Sequence, residues 1–197
     1  MSKRDDILSA AMSLFNQYGY HTVGVDWIRD EAQVSKMTLY KYFSNKEVLV
    51  EEVLKLRHEA FKASIESAVL KKEDAKEKLV EIFNWHLRWF SSESFHGCMF
   101  IKAVGEFPKT KNLVDISIKH KEWICFFILN VLQKMKAERA EEKARYIQVS
   151  LDGMIVNANI FQDIQYMYDV WESISHEMGI SHMKLERFAL EGRDMML

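Results

Sequence analysis

Nine consecutive residues, Ser35-Lys36-Met37-Thr38-Leu39-Tyr40-Lys41-Tyr42-Phe43, carry the most suggestive chemistry in the chain. Leu39 and Phe43 stand four apart, so on a helix they share a face and turn inward. Lys36, Met37, Thr38, Tyr40, Lys41 and Tyr42 cover the other faces. Lysine ammonium and tyrosine hydroxyl groups reach phosphate oxygens, whereas Thr38 and Met37 suit base edges and thymine methyls. Ser35 is a good N-cap for such a helix. Lys46 stands at the start of the next helix, where its charge and the open N–H groups suit a phosphate. The plainer reading of the same residues is a solvated helical face, with Tyr42 over the hydrophobic seam.

No pattern for catalysis competes with this one. The chain has no phosphate-cradling GxxxxGK[ST], no GxGxxG, no HExxH and no GxSxG. His96-x-Cys98 matches no closed zinc pattern, and Cys98 reads as a buried cysteine. Glu47, Glu51 and Glu52 fit a solvated face. Neither an enzyme, a metal nor a cofactor is expected.

The elements that must carry these residues are helices. One proline and seven glycines in 197 residues leave too few turns for a β-sandwich or an α/β fold, and 48% apolar with 28% charged residues is an ordinary globular balance. Ile7, Leu8, Ala11, Leu14, Phe15 and Tyr18 form one helical stripe, closed by Gly19. Short helices fit residues 25–32 and 36–43, joined by the tight connection Gln33-Val34-Ser35. Ser44 with Glu47 predicts a capping box for a fourth helix that runs to about residue 70. Five further helices follow, and a short tail helix is expected from about His182. Two short helices packed on a longer one make a helix-turn-helix, whose second member enters a major groove.

Residues 1–46 hold six Lys and Arg against five Asp and Glu, and the whole chain is −2, so any nucleic-acid surface must be small and shaped. No apolar run reaches the length of a membrane span, the N-terminus lacks the apolar region of a signal peptide, and two cysteines make no disulfide framework. The expected setting is a reducing cytoplasm, with no membrane partner.

The pattern from Leu14-Phe15 through Gly19-Tyr20, Val25, Ile28, Ala32, Val34-Ser35, Thr38-Leu39-Tyr40, Tyr42-Phe43 and Lys46-Glu47 to Leu49 resembles the TetR family of transcriptional regulators. Gly97-Cys98-Met99-Phe100 with Ala103 and Glu106-Phe107 looks like the sixth-helix region of one branch, and Asp152-Gly153 like the middle of its eighth helix. The resemblance implies an all-α homodimer that mostly represses transcription and leaves its operator when a small molecule binds. Its DNA-binding domain would be residues 1–46, its connector helix 47–70, and its ligand-binding and dimerisation domain residues 71–197, a helical bundle. Repression and activation use the same DNA contacts, so sequence leaves that choice open. A helical binding protein whose motif no longer reads DNA is the rival reading. Two departures favour the rival. Gln33 stands where the family usually has glycine, and Gly24 replaces a phosphate-touching Ser or Thr, a role that would pass to Thr22.

The expected DNA-contact set is therefore Thr22, Ser35, Lys36, Met37, Thr38, Tyr40, Lys41, Tyr42 and Lys46. The surplus of large apolar groups in the C-terminal half suggests a cavity for an apolar or aromatic effector. Its expected lining is Trp85, Trp89, Phe100, Glu106, Trp123, Phe127, Asn157 and Phe161, with Glu106 hinting at a cation. The resemblance implies that the last two long helices pair with their two-fold mates through Ile147, Leu151, Met154, Ile155, Ala158, Val170, Trp171 and Ile174. Intramolecular core is the alternative for those eight.

Overall fold

The computed structural model describes residues 2–187, and among them all regular structure is helical. The order is α1 (Lys3–Tyr18), α2 (Val25–Glu31), α3 (Lys36–Tyr42), α4 (Lys46–Leu70), α5 (Ala75–Phe90), α6 (Met99–Glu106), α7 (Lys111–Lys134), α8 (Ala140–Phe161) and α9 (Gln165–Glu177). No helix among the described residues is long and apolar enough to cross a membrane.

Two compact units form. One joins the chain up to Ala63 with Cys98–Trp123, and the other joins Ser64–Gly97 with the chain from Ile124 onward. In the first unit, Ile7, Leu8, Ala11, Leu14 and Phe15 of α1 are buried with Ile28 of α2, Leu39 of α3, Phe43, and Leu49, Val50, Val53 and Leu54 of α4. Arg4 ties α1 to α4 through Glu52 and lies over the Phe43 ring. In the second unit, Leu79, Ile82, Phe83 and Leu87 of α5 are buried with Ile128 and Leu132 of α7, and with residues of α8 and α9. Phe83 and Trp171 meet at 4.7 Å between ring centres.

Local chemistry sets the helix ends. Ser2 and Asp5 form a reciprocal capping box at the start of α1. The fourth helix is capped one residue later than Ser44: Asn45 Oδ1 accepts from the Val48 N–H at 2.9 Å, and helix begins at Lys46. Residues 182–187 do not form the expected tail helix; anything beyond them lies outside the described residues. Their backbone groups bond to side chains instead. The Glu186 N–H donates to Asn84 Oδ1, the Tyr168 hydroxyl to the Glu186 carbonyl, and Trp171 Nε1–H to the Met183 carbonyl.

The turn between α2 and α3 decides how the second helix is aimed. The Gln33 N–H donates to the Asp30 carbonyl and the Val34 N–H to the Arg29 carbonyl, the paired bonds of a Schellman closure. That closure needs a left-handed residue after the C-cap, and Gln33 supplies it at φ 52°. The turn is thus preserved without glycine, and the departure costs conformational energy while leaving the shape intact. Gln33→Gly is expected to stabilise the protein by up to about 1 kcal/mol, and Gln33→Val to destabilise it, in urea unfolding at neutral pH.

Candidate nucleic-acid interface

The buried stripe of α3 is minimal. Leu39 faces the core, and Phe43 closes the helix in extended backbone with its N–H on the Leu39 carbonyl. Everything else on the helix is turned outward. Lys36, Met37, Tyr40, Lys41 and Tyr42 are exposed and Thr38 is half-buried; Ser35 at the N-cap and Thr22 in the loop before α2 are exposed too. The nine expected contact residues thus lie on the same unit, seven of them on α3 or at its N-cap, with Thr22 in the loop before α2 and Lys46 at the first turn of α4.

Several are already engaged. Ser35 caps α3 by accepting from the Thr38 N–H, and its hydroxyl lies 2.8 Å from the Thr38 hydroxyl. Lys36 Nζ is 3.4 Å from Asp26, which also pairs with Arg29, itself bound to Asp30. Asp26 and Asp30 of α2 are therefore matched locally, in keeping with the small net charge of the region. Lys46 Nζ sits at 3.5 Å from the His21 carbonyl, and burial draws its pKa down, partly offset by Glu106. Gly24 starts α2 with no side-chain cap, and a Cβ there would meet nothing.

Glu106 departs from expectation. Its carboxylate accepts from the backbone N–H groups of Tyr20, at 3.0 Å, and His21, at 2.5 Å, in the loop between α1 and α2. The His21 ring adds a bond to the Glu106 carbonyl. One turn earlier, Lys102 Nζ donates to the Asn16 carbonyl at 2.8 Å. One further turn back, the Tyr20 hydroxyl donates to the Met99 carbonyl at 2.9 Å. Burial pushes the Tyr20 hydroxyl far above the usual phenol range, so it remains a donor. Residues 99, 102 and 106 thus bolt one side of α6 to the end of α1 and to the loop that leads into α2. Gly19 makes room for this: its φ is +82°, and a Cβ there would lie 3.0 Å from Glu106 Oε1.

Glu106 is therefore a structural acceptor for the loop between α1 and α2. Sequence reasoning missed Tyr20, His21 and Lys102 as its companions. One signal was available: a carboxylate in the last turn of a helix opposes the helix dipole, so Glu106 had to have donors from elsewhere.

The other expected effector residues fall in both units. Phe100 is buried in the first unit, stacked on His120 at 3.6 Å between ring centres, and Trp123 meets His58 and Phe61 edge-on. In the second unit Trp85 and Trp89 are half-buried neighbours, with Trp85 Nε1–H donating to Ser64, and Phe127 is half-buried on α7. The Asn157 amide donates within its own helix to the Gly153 carbonyl. Phe161 is an exposed side chain against Tyr166 at the end of α8, which removes it from a buried lining.

Of the expected dimer set, Ile147, Leu151, Met154, Ile155, Ala158, Trp171 and Ile174 are buried within the protomer, and Val170 is half-buried. Those seven hold the second unit's own core. The same helix carries a second apolar stripe on its outer side: Tyr146, Val149, Gly153, Val156 and Ile160 recur at steps of three and four and are all exposed. Val149 is 65% and Ile160 63% exposed, and Gly153 faces open space. On α9, Tyr166, Val170, Ser173 and Glu177 follow the same steps, and Tyr146, Ser173 and Glu177 line one surface depression.

A family model described as bacterial regulatory proteins, tetR family, matches residues 7–53. Over 165 residues the chain is 34% identical to the fatty acid metabolism regulator protein of Bacillus subtilis, spanning 84% of this chain and 81% of that protein. It is 31% identical over 133 residues to the uncharacterized HTH-type transcriptional regulator YhgD of the same organism, spanning 66% of this chain but only 59% of YhgD. Among solved structures, SCO4454 of Streptomyces coelicolor, a TetR-family transcriptional regulator, superposes with a TM-score of 0.85 at 23% identity, covering 91% of this chain and 96% of that one.

Glu106→Ala would leave two backbone donors without their carboxylate. Such charge-assisted bonds contribute about 1.5–3 kcal/mol each, less where exposed. The expected outcome is a loss of about 1–3 kcal/mol in urea unfolding, together with faster hydrogen exchange confined first to the Tyr20 and His21 amides. Unchanged protection at those two amides would contradict the assignment.

Proposed function

Because this chain belongs to the tetR family of bacterial regulatory proteins, which are DNA-binding transcriptional regulators and not enzymes, we propose that it is a homodimeric repressor released from a pseudo-palindromic operator by a small apolar effector. The observation that carries the DNA-binding part is α3. A seven-residue helix buries one apolar side chain, exposes lysines, tyrosines and Met37, and follows a Schellman turn that keeps the helix-turn-helix geometry despite Gln33. Tyr40, Tyr42 and Lys46 anchor phosphates in this reading, with Thr22 taking the contact that Gly24 lacks. The regulator works where the chromosome is, in the cytoplasm.

The dimer follows from function and surface together. One helix reading one half-site binds weakly, whereas two recognition helices about 34–36 Å apart read successive major grooves on one face of the duplex. The outer stripe of α8 from Tyr146 to Ile160, with Tyr166 and Val170 of α9, is the surface offered to a second copy. Gly153 in its middle admits close approach of a partner helix.

The effector is apolar, and the relationship to a regulator of fatty acid metabolism makes a straight-chain fatty acid the first compound to test. Phe100 and Trp123, which lie in the same unit as α6, remain as its candidate lining. The effector acts by favouring a state in which α6 has shifted. Since Met99, Lys102 and Glu106 hold the loop before α2, that shift carries the helix-turn-helix with it. The required difference in affinity between the two states is about 1–3 kcal/mol.

The test is fluorescence anisotropy of the full chain on duplexes from its own upstream region, with excess random competitor and a salt series. Competitor-resistant binding of two protomers per palindrome is expected, weakened on adding the fatty acid. Tyr40→Ala and Lys46→Ala should each weaken operator binding about 10-fold, the scale of one lost phosphate or base contact, with unchanged melting; unchanged affinity in both would contradict the DNA face. Val149→Glu with Val156→Glu should give a folded monomer by sedimentation and lose most operator affinity, and a variant that still sediments as a dimer would move the interface elsewhere.

A further inference from the structure

We propose that Met37 reads a thymine through its 5-methyl group, and that this apolar contact is the main base-specific contact made by α3 in each half-site. The inference rests on the DNA-binding reading above and goes beyond it by naming the base.

The α3 helix lacks most of the side chains that commonly read bases. Bidentate base recognition uses Arg or Lys on guanine and Asn or Gln on adenine. No Arg, Asn or Gln occurs between Lys36 and Tyr42. The hydroxyls of Ser35 and Thr38 are 2.8 Å apart, and the Ser35 oxygen also caps the Thr38 N–H, so both are committed to holding the first turn of the helix. Lys36 is paired with Asp26 at 3.4 Å. Tyr42 lies against Phe43 at 6.5 Å between ring centres. The cation that remains is Lys41, one helical turn beyond Met37 on the same face.

Met37 itself is 85% exposed, the most exposed of the large apolar side chains on this unit, and contributes nothing to the fold by burial. A helix docked in a major groove removes that side chain from water. The one apolar group that base edges present there is the thymine methyl. Against cytosine N4, adenine N6 or guanine O6, a thioether would desolvate a polar group and give it no strong partner. Methionine also has three rotatable bonds, so it can settle on a methyl without precise helix placement. The discrimination therefore comes from an apolar match on one side and an unsatisfied polar edge on the other.

The experiment starts with selection from random duplexes by the full chain, followed by replacement of each thymine in the selected operator with uracil, which removes only the methyl. The affinity of wild type and of Met37→Ala for each duplex is measured by anisotropy. The expected result is one thymine per half-site whose replacement weakens wild type about three- to fivefold, the value of one buried methyl, with the difference abolished in Met37→Ala. Because Met37 is exposed, the variant should melt as wild type does. Tight, selected binding that is insensitive to uracil everywhere, or a uracil penalty that persists in Met37→Ala, would overturn the thymine assignment and leave the DNA-binding reading standing. A selection that enriches no sequence would overturn the DNA-binding reading, and this inference with it.

Discussion

Two backbone N–H groups in the loop after α1 and one carboxylate at the end of α6 each present a problem that the other solves. Tyr20 and His21 lie outside any helix, so their amides have no intrahelical acceptor. Glu106 stands in the last turn of α6, where the helix dipole disfavours a negative charge. Joined, they remove both penalties and fix α6 against the segment that leads into the helix-turn-helix. The Tyr20 ring is buried between Phe15 and Phe107, which shields its hydroxyl bond to Met99, while the His21 bonds to Glu106 are exposed. Gly19 is needed on two counts, for its positive φ and for the space that the carboxylate occupies.

A similar economy of faces runs through the helices that do the binding. On α8, Ile147, Leu151, Met154, Ile155 and Ala158 point into the protomer, while Val149, Gly153, Val156 and Ile160 point away from it. One apolar side of α8 is covered by the core of its own unit, and the other faces solvent in the protomer. On α3 the balance is the reverse: one buried leucine secures the helix, and nearly the whole remaining surface is left for recognition. A seven-residue helix does not stand alone, so the Ser35 cap and the burial of Leu39 and Phe43 must hold it in place.

The helices of the first unit and the exposed face of α3 were largely legible in the sequence because they rest on short-range rules. The stripe from Ile7 to Phe15, the Ser35 cap and the Leu39–Phe43 spacing all follow from helical period and local hydrogen bonding. What was misread depends on competition or on distance. Asn45 displaced Ser44 as the cap of α4, since both side chains can accept and only chain geometry chooses between them. Ile147 and its companions were assigned to the dimer because periodicity shows that a face is apolar but not what covers it. Glu106 was given to an effector because its partners lie about 85 positions away along the chain, at Tyr20 and His21, and no local rule connects them.

The junction at Glu106 also bounds how regulation can work. A coupling free energy of about 1–3 kcal/mol is what separates a bound from a released operator in most such systems. A charge-assisted hydrogen bond is worth about 1.5–3 kcal/mol, so lengthening one bond of the junction is enough, and losing all of it is more than is needed. The Lys102–Asn16 and Tyr20–Met99 bonds tie the same side of α6 to α1 and to the loop, so the carboxylate is one of several links across the junction. The helix-turn-helix is already carrying the strain of Gln33 at φ 52°. The turn at Gln33 and the anchor at Glu106 thus act on one motif with opposite sign: the first costs it conformational energy, and the second holds the segment that leads into it.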